Sequence, residues 1–296
     1  MGSFFKTQKA RKTRNSEEKL TNPHLARKAA ENLENLKSKK PLIHNITNFV
    51  VMNYTANALL ACGASPVMAH AHEEVEEMVS FAGALVLNIG TLTPYWIESM
   101  IKAGKKANAV HVPIILDPVG SGATKLRTDS AKRLINELSI TVVRGNASEV
   151  LSLAQKDSKT KGVDSLHSVD DAADAAIRLA KELGTTLAIT GATDLVTDGE
   201  RIHRISNGHE LMGIITGTGC TATALIGAFL AVDSDPVEAT STALAFFGLA
   251  GEHAASKAKK PGSFQIALLD ALFSIEKKQL EGGANISVSV VNNNEK

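Results

Sequence analysis

Apolar residues in this chain alternate between short unbroken runs and longer stretches with helical spacing. Ala84-Leu-Val-Leu-Asn-Ile89, Pro113-Ile-Ile-Leu-Asp117, Thr141-Val-Val-Arg144 and Thr186-Leu-Ala-Ile-Thr190 are nearly continuous. Runs this short, without polar alternation, predict strands buried on both faces. Pro41 to His44 and Pro66 to Met68 predict two shorter strands. Between these lie helical patterns: Asn22 to Leu36 (with Leu25, Ala29, Leu33 and Leu36 on one face), Tyr54 to Cys62, Glu73 to Phe81, Pro94 to Asn108, Ser130 to Leu138, a segment from Ala147, and Asp170 to Leu183. Asp194 to Thr197 and Arg201 to Ile205 flank Asp198-Gly199, a hairpin turn signal. Helices from Thr221 to Val232, Pro236 to Ala258 and Ser263 to Ile275 complete the pattern. Strands alternating with helices predict an α/β fold, a three-layer sandwich with a mostly parallel sheet and helices on both faces. Residues 22–280 read as a single domain. Residues 1–21 read as a basic, disordered extension, and 281–296 as a polar tail.

Composition narrows the picture. Hydrophobic content of 44% and charged content of 21% suit a soluble enzyme. A formal net charge of +1 argues against nucleic-acid binding, which needs a basic face. Leu211 to Val232 comes nearest to a membrane span, but Gly213, Gly217 and Gly219 break it. Cys62 and Cys220 are too few for a disulfide framework and fit a reducing compartment. Lys6, Lys9, Arg11, Lys12 and Arg14 resemble a transit peptide until Glu17 and Glu18 intervene, and no secretory segment follows. A cytoplasmic location is expected.

The candidate chemistry gathers at predicted strand ends, where α/β sheets bind ligands. Gly90-Thr91, Asp117 to Gly122, Arg144-Gly145-Asn146, Thr190-Gly191 and Thr216-Gly217 are five such ends. Gly217-Thr218-Gly219-Cys220 opens a buried helix. First-turn amides lack intrahelical acceptors and face the positive end of the helix dipole, so the site suits an anion. The same field is expected to favour a Cys220 thiolate. A dinucleotide fingerprint would need an acid on a second strand about 20 residues on, and Asp233 and Asp235 lie between helices instead. A phosphate-binding loop of the Gly-Lys-Ser type is excluded because no lysine follows. Asn146 and Glu149, with Asp117, could support magnesium through waters. The same pair also fits a capping box. Arg144 could brace a phosphate or make a surface ion pair, and Thr190-Gly191 allows close approach by a nucleotide. Met68 could face a flat ligand or fill the core. His70 and His72 lack a third ligand and read as part of a loop.

These motifs, in this order, resemble the hydroxyethylthiazole kinases of the ribokinase-like superfamily. The matching segments are Pro41 to Asn48, Gly63 to Met68, Ala84 to Thr91, Asp117 to Gly120, Arg144 to Asn146 with Glu149, Ala188 to Gly191, Gly217 to Cys220, and Pro261 to Phe264. The resemblance covers roughly residues 25–275. It implies ATP-dependent phosphorylation of 4-methyl-5-(2-hydroxyethyl)thiazole, a salvage step toward thiamine. It assigns Asn48, Val50, Met68 and Gly217 to the thiazole pocket, and Arg144, Thr190 and Gly191 to ATP. Asp117, Asn146 and Glu149 become magnesium and phosphate supports. Gly217 and Gly219 become the anion hole, and Cys220 the general-base position, where many relatives in the superfamily carry aspartate. A homotrimer with sites between subunits is also implied. The alternative on this fold is a dehydratase repairing hydrated NAD(P)H. It normally carries aspartate where Cys220 stands and lacks the Asn45-Ile-Thr-Asn48 segment.

Overall fold

The computed structural model describes residues 21–154 and 169–291. The basic extension therefore lies, apart from Thr21, outside the described residues. The nine strands among the described residues join one sheet in the order β2-β1-β3-β4-β5-β6-β7-β8-β9. Strands β1 (Leu42–Ile46), β2 (Ser65–Val67), β3 (Ala84–Asn88), β4 (Ile114–Asp117), β5 (Val142–Gly145) and β6 (Thr186–Ile189) pair in parallel. Strands β7 (Asp194–Thr197), β8 (Arg201–Ile205) and β9 (Ile286–Val290) continue the sheet antiparallel. The predicted hairpin is β7–β8, with Gly199 at φ 94° in its turn.

Alternate strand residues feed two apolar layers. Ile43, Val86, Ile115, Val142 and Ala188 pack with helices α1 (Pro23–Lys39), α2 (Met52–Cys62), α8 (Thr218–Leu230), α9 (Pro236–Lys257) and α10 (Pro261–Ser274). Leu85, Leu87, Ile114, Leu116, Val143 and Leu187 pack on the other face. There they meet α3 (Val75–Ser80), α4 (Pro94–Ala109), α5 (Lys125–Glu137), α6 (Ala147–Leu151) and α7 (Val169–Leu183). This period of two is what the continuous apolar runs required. It also sets the site: Asn88, Asp117 and Arg144 follow Val86, Ile115 and Val142 by two residues, so all three belong to the face that α8 covers. Helix α8 lies close on that face, where a Cβ on Gly227 would stand 3.0 Å from Val86 Cγ2.

Two expectations are corrected. Residues 281–296 are not simply a polar tail: α11 (Lys277–Gly283) runs into them, and β9 pairs along the full length of β8. Ile286-Ser-Val-Ser-Val290 alternates, and only its first residue is buried, so it forms a half-exposed edge strand. Residues 292–296 lie outside the described residues. Thr216-Gly217 does not end a strand: Glu210–Gly213 forms a short 3-10 helix, and α8 is entered through a turn.

Candidate active site

The parallel strands deliver their carboxyl ends side by side, and five residues line up along that edge. Asn48 follows β1, Asn88 ends β3 opposite Asp117 on β4, Arg144 lies on β5, and Thr190 follows β6. Across this row sits the start of α8. Gly217 is its N-cap at φ 89°, a left-handed conformation that favours glycine, and no side chain caps the first turn. The amides of Thr218, Gly219 and Cys220 are therefore free to meet an anion. Thr218 Oγ1 donates to Met212 O at 2.8 Å, which fixes the turn.

Gly219 is required by close approach. A Cβ there would stand 2.7 Å from Arg144 Nη1. Arg144 Nη2 in turn donates to Thr190 Oγ1, and Nη1 is 3.6 Å from Asp117 Oδ2. Arg144, Thr190, Gly191 and Gly219 all line a cavity of about 570 Å³. Leu244 and Phe247 of α9 also line it with Met212, an apolar part suited to a flat ring beside a phosphate-binding end. Asp194 also borders it, accepts from Gly191 N at 2.9 Å, and is pushed up to about 6 by burial.

Asp117 is 1% exposed. Its Oδ2 accepts from Thr223 Oγ1 at 2.8 Å and Asn88 Nδ2 at 3.0 Å, while Oδ1 is buried without a partner. Burial raises this carboxyl to about 6, against the opposing pull of Arg144 and Thr223. Cys220 is partly exposed, and its Sγ accepts from Asn48 Nδ2 at 3.4 Å. Burial, followed by the charge of Asp117, pushes its thiol up, and Asn88, Asn48 and Arg144 only partly offset this. The expected thiolate is thus corrected: the helix entrance attracts anions, but a buried carboxylate stands behind this one.

Asn146 and Glu149 form a complete capping box on α6. Glu149 N donates to Asn146 Oδ1 at 2.9 Å and Asn146 N donates to Glu149 Oε2 at 3.0 Å. Glu149 Oε1 accepts from Gly120 N at 2.8 Å, which ties α6 to the loop after β4. Among the described residues no three His, Cys, Asp or Glu side chains cluster as metal ligands. What remains is an orphaned Asp117 Oδ1 and one unused lone-pair direction on each Glu149 oxygen.

Met68 follows β2 and is partly exposed. Val50 is 65% exposed and Phe49 62%, both beside the buried Asn48. His70 stacks on Trp96 with ring centres 4.5 Å apart, and Trp96 meets Phe49 at 4.9 Å, so His70 belongs to an aromatic cluster in its loop. Sequence reasoning missed Asn88, Thr223, Asp194 and the α9 wall. For Asn88 a signal existed: an amide closing an otherwise apolar strand, beside the strand that Asp117 closes. Leu244 and Phe247 carry no mark in an apolar helix.

A profile of the hydroxyethylthiazole kinase family matches residues 33–278. The hydroxyethylthiazole kinase of Desulfotalea psychrophila is 64% identical over 261 residues, 88% of this chain and 96% of that protein. The solved structure of hydroxyethylthiazole kinase protein from Pyrococcus horikoshii OT3 is 47% identical. It superposes with a TM-score of 0.81, over 88% of this chain and 98% of that one. A ribokinase-like superfamily protein of Enterococcus faecalis shares the fold with a TM-score of 0.60 at 14% identity, over 86% of this chain and 95% of that one.

Proposed function

The chain belongs to the hydroxyethylthiazole kinase family, and on that footing we propose that it transfers the γ-phosphoryl group of ATP to the primary alcohol of 4-methyl-5-(2-hydroxyethyl)thiazole, in salvage toward thiamine. One observation carries the reading: the α8 entrance has two different sides. Gly219 borders the cavity with Arg144 and Thr190, while its neighbour Cys220 turns to Asn48. The nucleotide would occupy the cavity, its base against Phe247 and Leu244 and its phosphates toward Arg144, Thr190, Gly191 and the free α8 amides. The thiazole would lie on the Asn48 side, with Val50, Met68 and Gly217.

In the reaction the alcohol oxygen bonds to the γ-phosphorus, and the bond from that phosphorus to the bridging oxygen breaks, leaving ADP. Such transfers need positioning and charge neutralisation more than a strong base. The Thr218, Gly219 and Cys220 amides and Arg144 would meet charge on the transferred group. Cys220, a thiol at neutral pH, would orient the alcohol, whose proton would pass late to an oxygen of the transferred phosphoryl group and from there to solvent. Magnesium, supported through waters by Glu149 and Asp117 with Asn146 fixing the turn, would neutralise phosphate charge. The orphaned Asp117 Oδ1 and the spare Glu149 lone pairs support that fit.

We propose a homotrimer with each site shared between chains, acting in the cytoplasm, and a catalytic unit spanning residues 22–280 with the β9 strand added. Exposed Phe49, Val50, Leu60 and Ile266, on or beside α2 and α10, support a covering neighbour. None of the described helices is long and apolar enough to cross a membrane. The test is release of ADP and thiazole phosphate by purified protein, with pyridoxal and hydroxymethylpyrimidine as rivals. Preferred turnover of either rival would overturn the substrate. For the trimer, inactive Met68→Arg and Cys220→Ala chains refolded together should regain activity; mixed trimers that stay inactive would place the site within one chain.

A further inference from the structure

Asn88 is 1% exposed and stands between the two sides of the site. Its Oδ1 accepts from Gly90 N at 3.0 Å and from Asn48 Nδ2 at 2.8 Å, and its Nδ2 donates to Asp117 Oδ2 at 3.0 Å. Asn48 Oδ1 accepts from Val50 N at 3.1 Å. A main-chain N–H can only donate, so Gly90 and Val50 fix which end of each side-chain amide is oxygen. The rest follows: the Asn48 amino group must face Asn88 Oδ1 and Cys220 Sγ, at 2.8 Å and 3.4 Å. Gly90 closes the other side, because a Cβ there would stand 2.6 Å from Asn48 Nδ2 and 2.7 Å from its Cβ. Asn48 is thereby held in one orientation with both amino hydrogens assigned.

We propose that Asn88 is a positioning residue for phosphoryl transfer: it locks the Asn48 amide with its donor on the Cys220 sulfur and so sets how the thiol meets the acceptor alcohol. A sulfur that accepts from Asn48 turns its own hydrogen away from Asn48, where an alcohol oxygen can receive it. Without the Asn88 acceptor, only the Val50 N–H still holds the Asn48 amide, and its bond to the sulfur loosens. The pocket would keep its shape while the thiol lost its orientation.

This inference rests on the alcohol pocket proposed above, and a double-mutant cycle separates the two. Asn88→Ala removes the acceptor, and Gly90→Ala displaces Asn48 while leaving the Asn88 side chain intact. Each should lower kcat with the thiazole alcohol about tenfold, the worth of one mispointed hydrogen bond, with KM for ATP unchanged. In an Asn48→Ala background Gly90→Ala should add no further loss, because it acts through Asn48, and Asn88→Ala should add only the smaller loss from its own bond to Asp117. Alkylation of native protein by iodoacetamide gives a readout independent of turnover. Cys62 is buried with its thiol pushed up to about 12, so the reaction reports Cys220. Its rate should change in Asn88→Ala and Gly90→Ala, and not change again when Gly90→Ala is combined with Asn48→Ala. Multiplicative losses, or wild-type kcat and alkylation in both single variants, would overturn the assignment. Wild-type protein that ignores the thiazole alcohol would remove the substrate reading, while the alkylation cycle would still decide the role of Asn88.

Discussion

Gly219→Ala sets two local effects against each other, and the structure decides which wins. Gly219 lies in the first turn of α8, where alanine is favoured over glycine by about 1 kcal/mol. On propensity alone the change stabilises. The new Cβ, however, would stand 2.7 Å from Arg144 Nη1 and 3.1 Å from Nη2. A guanidinium is the far end of a flexible chain, so it yields and the fold persists. Yielding means leaving Thr190 Oγ1 and weakening the pairing with Asp117. A hydrogen bond to a charged group is worth about 1.5–3 kcal/mol, so after the helix gain the net loss is roughly 0.5–2 kcal/mol. At about 2–4 °C per kcal/mol for a domain of this size, Tm should fall by roughly 1–8 °C. The nucleotide loses more, because Arg144 leaves the cavity wall for the cavity itself. Affinity for ATP should drop about 10- to 100-fold, the equivalent of about 1.4–2.8 kcal/mol. KM for the thiazole alcohol should stay near wild type, since Asn48 and Cys220 are untouched. Calorimetric titration with a non-hydrolysable ATP analogue and a coupled ADP assay measure both. Nucleotide affinity within twofold of wild type, with lowered Tm, would refute the placing of Arg144 on the phosphates.

Glu149→Gln turns one of two amide-accepting oxygens into a donor facing a donor, so it should cost about 1–3 kcal/mol in urea unfolding as well as turnover. A role in capping alone predicts that kcat recovers fully at low temperature, where the variant is folded, whereas the proposed magnesium support predicts a loss that persists at saturating magnesium. Cys220→Ala should fold, bind ATP normally and lose most of its turnover. In the wild type, alkylation of Cys220 should be slower than that of a free thiol at neutral pH, because burial and Asp117 raise it; faster alkylation would reverse that reading. Asp194 is raised from 3.8 to about 6, so the fold holds its proton better than the unfolded chain. Its contribution to stability is full below about pH 4 and is lost as pH rises through 6. Relative to wild type, Asp194→Asn should therefore gain roughly 1–3 kcal/mol between pH 4 and 7; a pH-independent difference would refute the shift.

What the sequence made legible was mostly local. Continuous apolar runs announced β3, β4, β5 and β6 because a strand covered on both faces has no polar face to show. The Gly217-Thr-Gly-Cys220 entrance was legible because free first-turn amides follow from helix geometry alone. The unread parts depend on partners distant in the chain. Strand β9 looked like tail because its outward serines and valines are exposed, and its pairing with β8 is visible only in space. Asn88 sat unnoticed within its own strand, since its meaning comes from Asn48 and Asp117 on either side. The thiolate expectation for Cys220 failed for the same reason: the helix end is local, and the burial of the sulfur and the carboxylate behind it are not.

Glu149 shows why two readings of one motif need not compete. The sequence left capping and metal support open, and the structure satisfies capping completely. Each carboxylate oxygen nevertheless has two lone-pair directions, and the amides of Asn146 and Gly120 use one on each. Those bonds hold the carboxylate rigid beyond the end of β5, beside the loop that follows Asp117. A ligand held through waters needs its acceptor fixed, since every degree of freedom left to the carboxylate is lost again on binding. The capping box is therefore the device that would prepare Glu149 for an ion: loosening it should weaken magnesium dependence and helix stability together, and neither alone.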